Sequence, residues 1–153
     1  MTPVRIIGLG SPHGADAAGW RAIEALRQGG LAARFPPGTV SLENCPAPLH
    51  LYRLVEGCRV AVLIDAVASD AGQAFDIEPE LLRREPARCS AHAIGVADML
   101  ELLDTLANPP PRVLLLGLPV GAVGDHSAPL QALLPALSRR IEQTIGRYLE
   151  GAA

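Results

Sequence analysis

The chain has 153 residues, 49% of them hydrophobic and only 3% aromatic, which suits one domain spanning 1–153 with a core of Leu, Val, Ile and Ala. A formal net charge of -3 argues against the basic face that non-specific nucleic-acid binding needs, and three scattered cysteines, Cys45, Cys58 and Cys89, form neither a disulfide framework nor a CxxC pair. No apolar run approaches the roughly 20 residues that cross a bilayer, and the first residues lead into a strand pattern without a signal peptide, so a reduced, cytoplasmic setting is expected.

Val4 to Leu9 is a short apolar run rich in β-branched residues and predicts a first buried strand, ended by the turn Gly8-Leu9-Gly10-Ser11-Pro12. Ala15 to Gln28 has helical spacing, with Ala18, Ala22, Ala25 and Leu26 on one face and Gly29-Gly30 as the stop. Thr39 to Leu42 predicts a second strand and Leu49 to Glu56 a short helix. Arg59 to Ile64 is the clearest buried strand and is expected to stop at Asp65. Gln73 to Ile77 is a further strand candidate. Ile94 to Leu106 predicts a helix, Val113 to Leu118 a strand after Pro109-Pro110-Pro111, and Leu130 to Leu149 a closing helix with Leu133, Leu134, Leu137, Ile141, Ile145 and Leu149 inward. Alternating strands and helices indicate an α/β protein with a largely parallel sheet covered on both faces.

In such a sheet ligands bind beyond the carboxyl ends of the strands. Three polar features are predicted there. Asp16 follows the first glycine-rich turn; its other reading is a helix N-terminal charge, worth roughly 0.3–1 kcal/mol. A dinucleotide loop is disfavoured, because His13 stands where GxGxxG needs its third glycine and Pro12 lacks an amide. Asp65 directly follows five apolar residues, so its carboxylate borders a low-dielectric region and needs a partner, a metal or a proton, unless it caps the next turn. His92 lies in Ser90-Ala91-His92-Ala93 at a loop-to-helix junction, where a capping or surface role is the alternative.

Two carboxylates and an imidazole suit a divalent ion such as nickel, zinc or manganese, and three protein ligands would leave positions open for substrate or water. Neither HExxH nor a local Cys/His cluster is present, which argues against structural zinc, and without GxSxG there is no nucleophile elbow. Cys45 with His50 is a poor thiol-catalysis pair, because cysteine is more often simply buried. His13 is a candidate for the rim of the site, while His50 and His126 are expected at the surface.

Gly8-Leu9-Gly10-Ser11-Pro12, Asp16-Ala17-Ala18-Gly19, Val62-Leu63-Ile64-Asp65-Ala66, the stretch from Ser90 through His92 to Asp98, and the late strand Leu114-Leu115-Leu116-Gly117-Leu118-Pro119 occur in an order and spacing that together resemble the hydrogenase maturation protease family over nearly the whole chain. The resemblance implies a three-layer αβα sandwich around a twisted, mainly parallel sheet of about five strands. It implies an endopeptidase that removes the C-terminal extension of a [NiFe] hydrogenase large-subunit precursor after nickel insertion. Carried over by position, Asp16, Asp65 and His92 are the catalytic and nickel-recognising trio. The nickel is supplied by the substrate, and no tightly bound organic cofactor, nucleic acid or membrane is expected. Asp16 stands where the family often has glutamate and is one methylene shorter.

The family's Asp-Gly-Gly-Thr-like stretch after the second strand, linked to substrate recognition, is here Glu43-Asn44-Cys45-Pro46, with Glu43 in the acidic place and the glycines gone. Two other functions compete. One is a non-proteolytic binder or chaperone of the nickel-loaded precursor. The other is a peptidyl-tRNA hydrolase-like enzyme, which opens with a similar turn but gives the carboxylates no role. Without an extended apolar stripe in view, a monomer is expected.

Overall fold

The computed structural model describes residues 2–90, 92–121 and 129–151. Its centre is a five-stranded sheet of order β2-β1-β3-β5-β4, built from β1 (Val4–Gly8), β2 (Val40–Asn44), β3 (Val60–Ala68), β4 (Phe75–Asp76) and β5 (Arg112–Val120). The first four of that order are parallel, and only the two-residue β4 runs antiparallel, on the β5 edge. The expected largely parallel α/β architecture is what the chain adopts.

Alternate residues along each strand supply two cores, because successive side chains point to opposite faces. Val60, Val62 and Ile64 of β3 face one layer, made by α1 (Ala18–Gln28) and α5 (Leu130–Gly151) through Ala22, Ile23, Leu137, Ile141 and Ile145. Ala61, Leu63 and Val67 face the other, made by α2 (Pro48–Val55), α3 (Pro79–Arg84) and α4 (Ala93–Leu106) through Leu51, Leu82, Val96 and Leu103.

One expectation needs correction. β3 does not stop at Asp65; it continues to Ala68, because β5 pairs with it residue for residue from Val60↔Arg112 to Ala68↔Val120. The buried face of α4 is Ala93, Val96, Ala97 and Leu103, and the helix packs beside α2 and α3. Ile94, Leu102 and Leu106 are instead exposed, as is Leu49 on α2, so apolar side chains do reach the surface here. The sequence pattern also missed α3, whose six residues are too few for a periodic signal.

Candidate active site at the β1–β3 switch point

The chain leaves β1 toward β2 on one side and β3 lies on the other, so the sheet's topological switch point falls between β1 and β3. β1 ends at Gly8, opposite Ile64, and the Leu9 N–H still donates to the Ile64 carbonyl at 2.8 Å. Asp65 is the next residue of β3, just past the last rung, on the face shared with α4. The first turn and α1 close tightly over this point. A Cβ on Gly19 would stand 2.5 Å from the Leu9 carbonyl oxygen and 2.7 Å from that of Ile64. Gly10 has φ 113°, and a Cβ there would meet the Asp16 carbonyl oxygen at 2.1 Å, so the glycines are demanded by close backbone approach.

Asp65 is completely buried. The Ser90 N–H donates to its Oδ2 at a long 3.5 Å, and its Oδ1 accepts no hydrogen bond. Burial pushes its carboxyl up to about 6. The hydroxyl and amide dipoles of Ser90 and the Ala66 amide hold it back, while the charge of Asp16 pushes it further up. Asp16 sits half-buried in a short 3-10 turn, Gly14–Ala17, within electrostatic reach of Asp65.

The Ser90 contact also sets the position of His92. Ser90 is itself buried; its carbonyl accepts the Ala93 N–H at 3.1 Å, and His92 forms the turn between them. His92 is the N-cap residue of α4, yet its side chain makes no capping bond, and the ring is half-buried. Capping therefore does not account for it.

Among the described residues no group of three His, Cys, Asp or Glu side chains stands ready to hold a metal ion by itself. Asp65 is brought together with Asp16 and with Ser90, two residues before His92. Sequence reasoning named Ser90 only as a neighbour of His92 and Cys89 only as an unpaired cysteine, and gave neither a place in the site. Both sit beside Asp65, and the only available signal was their position two and three residues before His92. The Cys89 thiol is pushed up to about 11 by burial first, then by the charge of Asp65, with Glu85 adding and Arg88 opposing.

Glu43 and Asn44 end β2, next to the switch point. Glu43 is exposed, while Asn44 pairs with Gly8 and keeps a buried Oδ1 without a hydrogen bond. The buried Cys45 N–H donates to the Gly8 carbonyl at 2.8 Å and its thiol to the Ala47 carbonyl at 3.0 Å, so this stretch is tied to β1. Burial raises the Cys45 thiol pKa, which speaks against it as a nucleophile. His13 and His50 are exposed, and His126 lies outside the described residues.

No family model matches the chain, and no curated protein does. Solved structures do. The hydrogenase maturating endopeptidase HybD from E. coli is 20% identical, with 99% of this chain and 94% of that chain covered and a TM-score of 0.62. The [NiFe] hydrogenase maturation protease HybD from Thermococcus kodakarensis is 24% identical, covering 95% of this chain and 99% of that one at a TM-score of 0.60. The [NiFe] hydrogenase maturation protease HycI from Thermococcus kodakarensis KOD1 is 19% identical over 95% and 91%, at 0.61.

Proposed function

We propose that this chain, which has the fold of the hydrogenase maturation proteases, is itself an endopeptidase that trims the C-terminal extension of a [NiFe] hydrogenase large-subunit precursor in the cytoplasm. The observation that carries this reading is Asp65: a fully buried carboxylate with an unpartnered oxygen, at the switch point of that fold, with Asp16 in electrostatic reach and His92 two residues beyond its Ser90 contact. A site of this kind is under-satisfied in the free protein, and a cation brought by the substrate would relieve it.

Asp16, Asp65 and His92 would recognise the nickel already inserted in the precursor and so dock the cleavage point. A water polarised by that nickel, or deprotonated by one of the carboxylates, attacks the peptide carbonyl. Its proton passes to the departing amide nitrogen, leaving a new carboxylate and a free amine. No covalent nucleophile is required. Glu43, Asn44 and Cys45 border the same end of the sheet; the exposed Glu43 would contact the precursor, while the buried Cys45 holds the stretch in place behind it.

His92→Ala tests the reading, because the His92 side chain makes no capping bond to α4. The variant is expected to fold with stability within about 0.5 kcal/mol of the wild type and to lose processing of nickel-loaded precursor. Normal cleavage by a folded His92→Ala protein would contradict the assignment. The β2 end, hydrogen-bonded to β1 through the Cys45 N–H, favours one second reading, a binder that holds the nickel precursor without cutting it. A stable complex containing intact precursor and no released peptide would select that reading.

A further inference from the structure

The sheet carries a second, unrelated feature at its β5 edge. β4 covers that edge only opposite Gly117 and Leu116, with one more bond from the Ile77 N–H to the Leu115 carbonyl. Glu78 is still extended, but Pro79 then starts α3 and carries the chain away. Among the described residues no strand covers Arg112, Val113 and Leu114. Val113 and Leu114 are accordingly half-buried, although they belong to opposite faces of a sheet that is covered on both sides. The uncovered edge is the floor of a groove of about 1020 Å3, walled on one side by α4 (Leu100, Leu103, Asp104) and on the other by α5 (Thr144, Arg147, Tyr148).

The backbone of the floor is oriented for pairing. The Arg112 N–H donates inward, to the Arg59 carbonyl, and the Leu115 carbonyl faces outward, to Ile77. By the alternation of a strand, both Val113 groups, N–H and C=O, face outward into the groove. The walls differ in charge. Arg140 is held by Asp76 at 2.5 Å, and Arg83 by Asp98 and Glu101. The remaining groove charges make no ion pair among the described residues: Glu80 on α3 and Asp104 on α4 on one wall, Arg112 and Arg147 toward α5 on the other, with Glu78 at the start of α3 between them.

We propose that this groove binds an extended polypeptide segment of a partner protein, which adds to β5 as a short strand. The open strand edge selects an extended backbone over a helix or a small molecule. Side chains of an added strand alternate between the two walls, so the walls select basic residues toward α3 and α4 and acidic residues toward α5. Val113 pairs with Ala61, four residues before Asp65 along β3, which puts the groove about 13 Å from the candidate active site. This is a separate docking site, and it does not depend on the proteolytic reading.

The test uses the isolated full chain, labelled with 15N, and the capped hexapeptide Ac-Lys-Glu-Val-Glu-Lys-Glu-NH2, whose lysines and glutamates fall on opposite faces when extended. Titration is expected to shift amide resonances in residues 112–115, 100–104 and 144–148. It should also slow exchange of the Val113 amide several-fold, a readout that needs no variant. Val113→Pro removes an outward-facing N–H at an edge position where proline is tolerated, at some cost in packing, and should weaken binding at least tenfold; Arg147→Glu, at the surface, should weaken it several-fold and make it less salt-dependent. Four results would each overturn the proposal: an absence of shifts at millimolar peptide, shifts centred elsewhere, unchanged Val113 exchange, or equal binding by a folded Val113→Pro protein. Concentration-dependent broadening of the same residues without peptide would overturn it in favour of a second copy of the chain as occupant.

Discussion

At neutral pH the Asp65 carboxylate is charged in a setting that disfavours charge, since burial raises its pKa to about 6 from an ordinary 3.8. The folded state therefore binds the proton more tightly than the unfolded chain. The stability linked to Asp65 is fully present below about pH 4 and is lost as pH rises through 6. A shift of that size corresponds to about 3 kcal/mol at pH 7, as an upper bound. Asp65→Asn is expected to raise stability at pH 7 by about 1–2 kcal/mol, to flatten its pH dependence between 4 and 6, and to abolish processing. Denaturant titrations at pH 4, 6 and 7.5 measure the first two. A variant less stable than wild type at pH 7 would contradict the description of Asp65 as an under-satisfied charge. The low-dielectric setting of Asp65 was legible from residue order, because a carboxylate directly after Val60–Ile64 borders the core; that the strand continues through it, which leaves no turn there to cap, was not. Its contact with Ser90 was not legible, since that depends on how a loop 25 residues later returns to the sheet.

Among the elements, β3 and the start of α1 position the site. The strand's apolar run was legible, but its end was not. Ala66 and Ala68 carry little strand signal, and pairing with β5 extends β3 past the aspartate. Short pieces such as β4 and α3 exist because the rest of the fold holds them, and their own sequences say little. The contact of α1 with the switch point rests on Gly19. Gly19→Ala, although it favours helix intrinsically, is expected to destabilise the protein by about 1–3 kcal/mol, because its Cβ has backbone oxygens in its way. Thermal unfolding checks this, and a neutral or stabilising effect would show that the approach of α1 to Leu9 and Ile64 is looser than described.

For the whole molecule, the two-sided core was readable from strand periodicity and from the long amphipathic α5. Leu137, Ile141 and Ile145 are all completely buried there, and Ile141→Ala should cost about 2–5 kcal/mol in equilibrium unfolding. The convergence of Asp16, Asp65 and the turn before His92 at one end of the sheet follows from topology. Sequence could name these residues but could not show which element brings each to the switch point. The docking groove was not legible at all, because it arises where β4 stops short of β5. The central claim, that this fold and site trim a nickel-loaded precursor, is tested most directly by incubating the purified protein with a hydrogenase large-subunit precursor, with and without nickel, and reading the intact mass. Loss of a discrete C-terminal peptide only in the nickel-loaded sample is the predicted result. An unchanged mass for every precursor of the same organism, nickel-loaded, would contradict it.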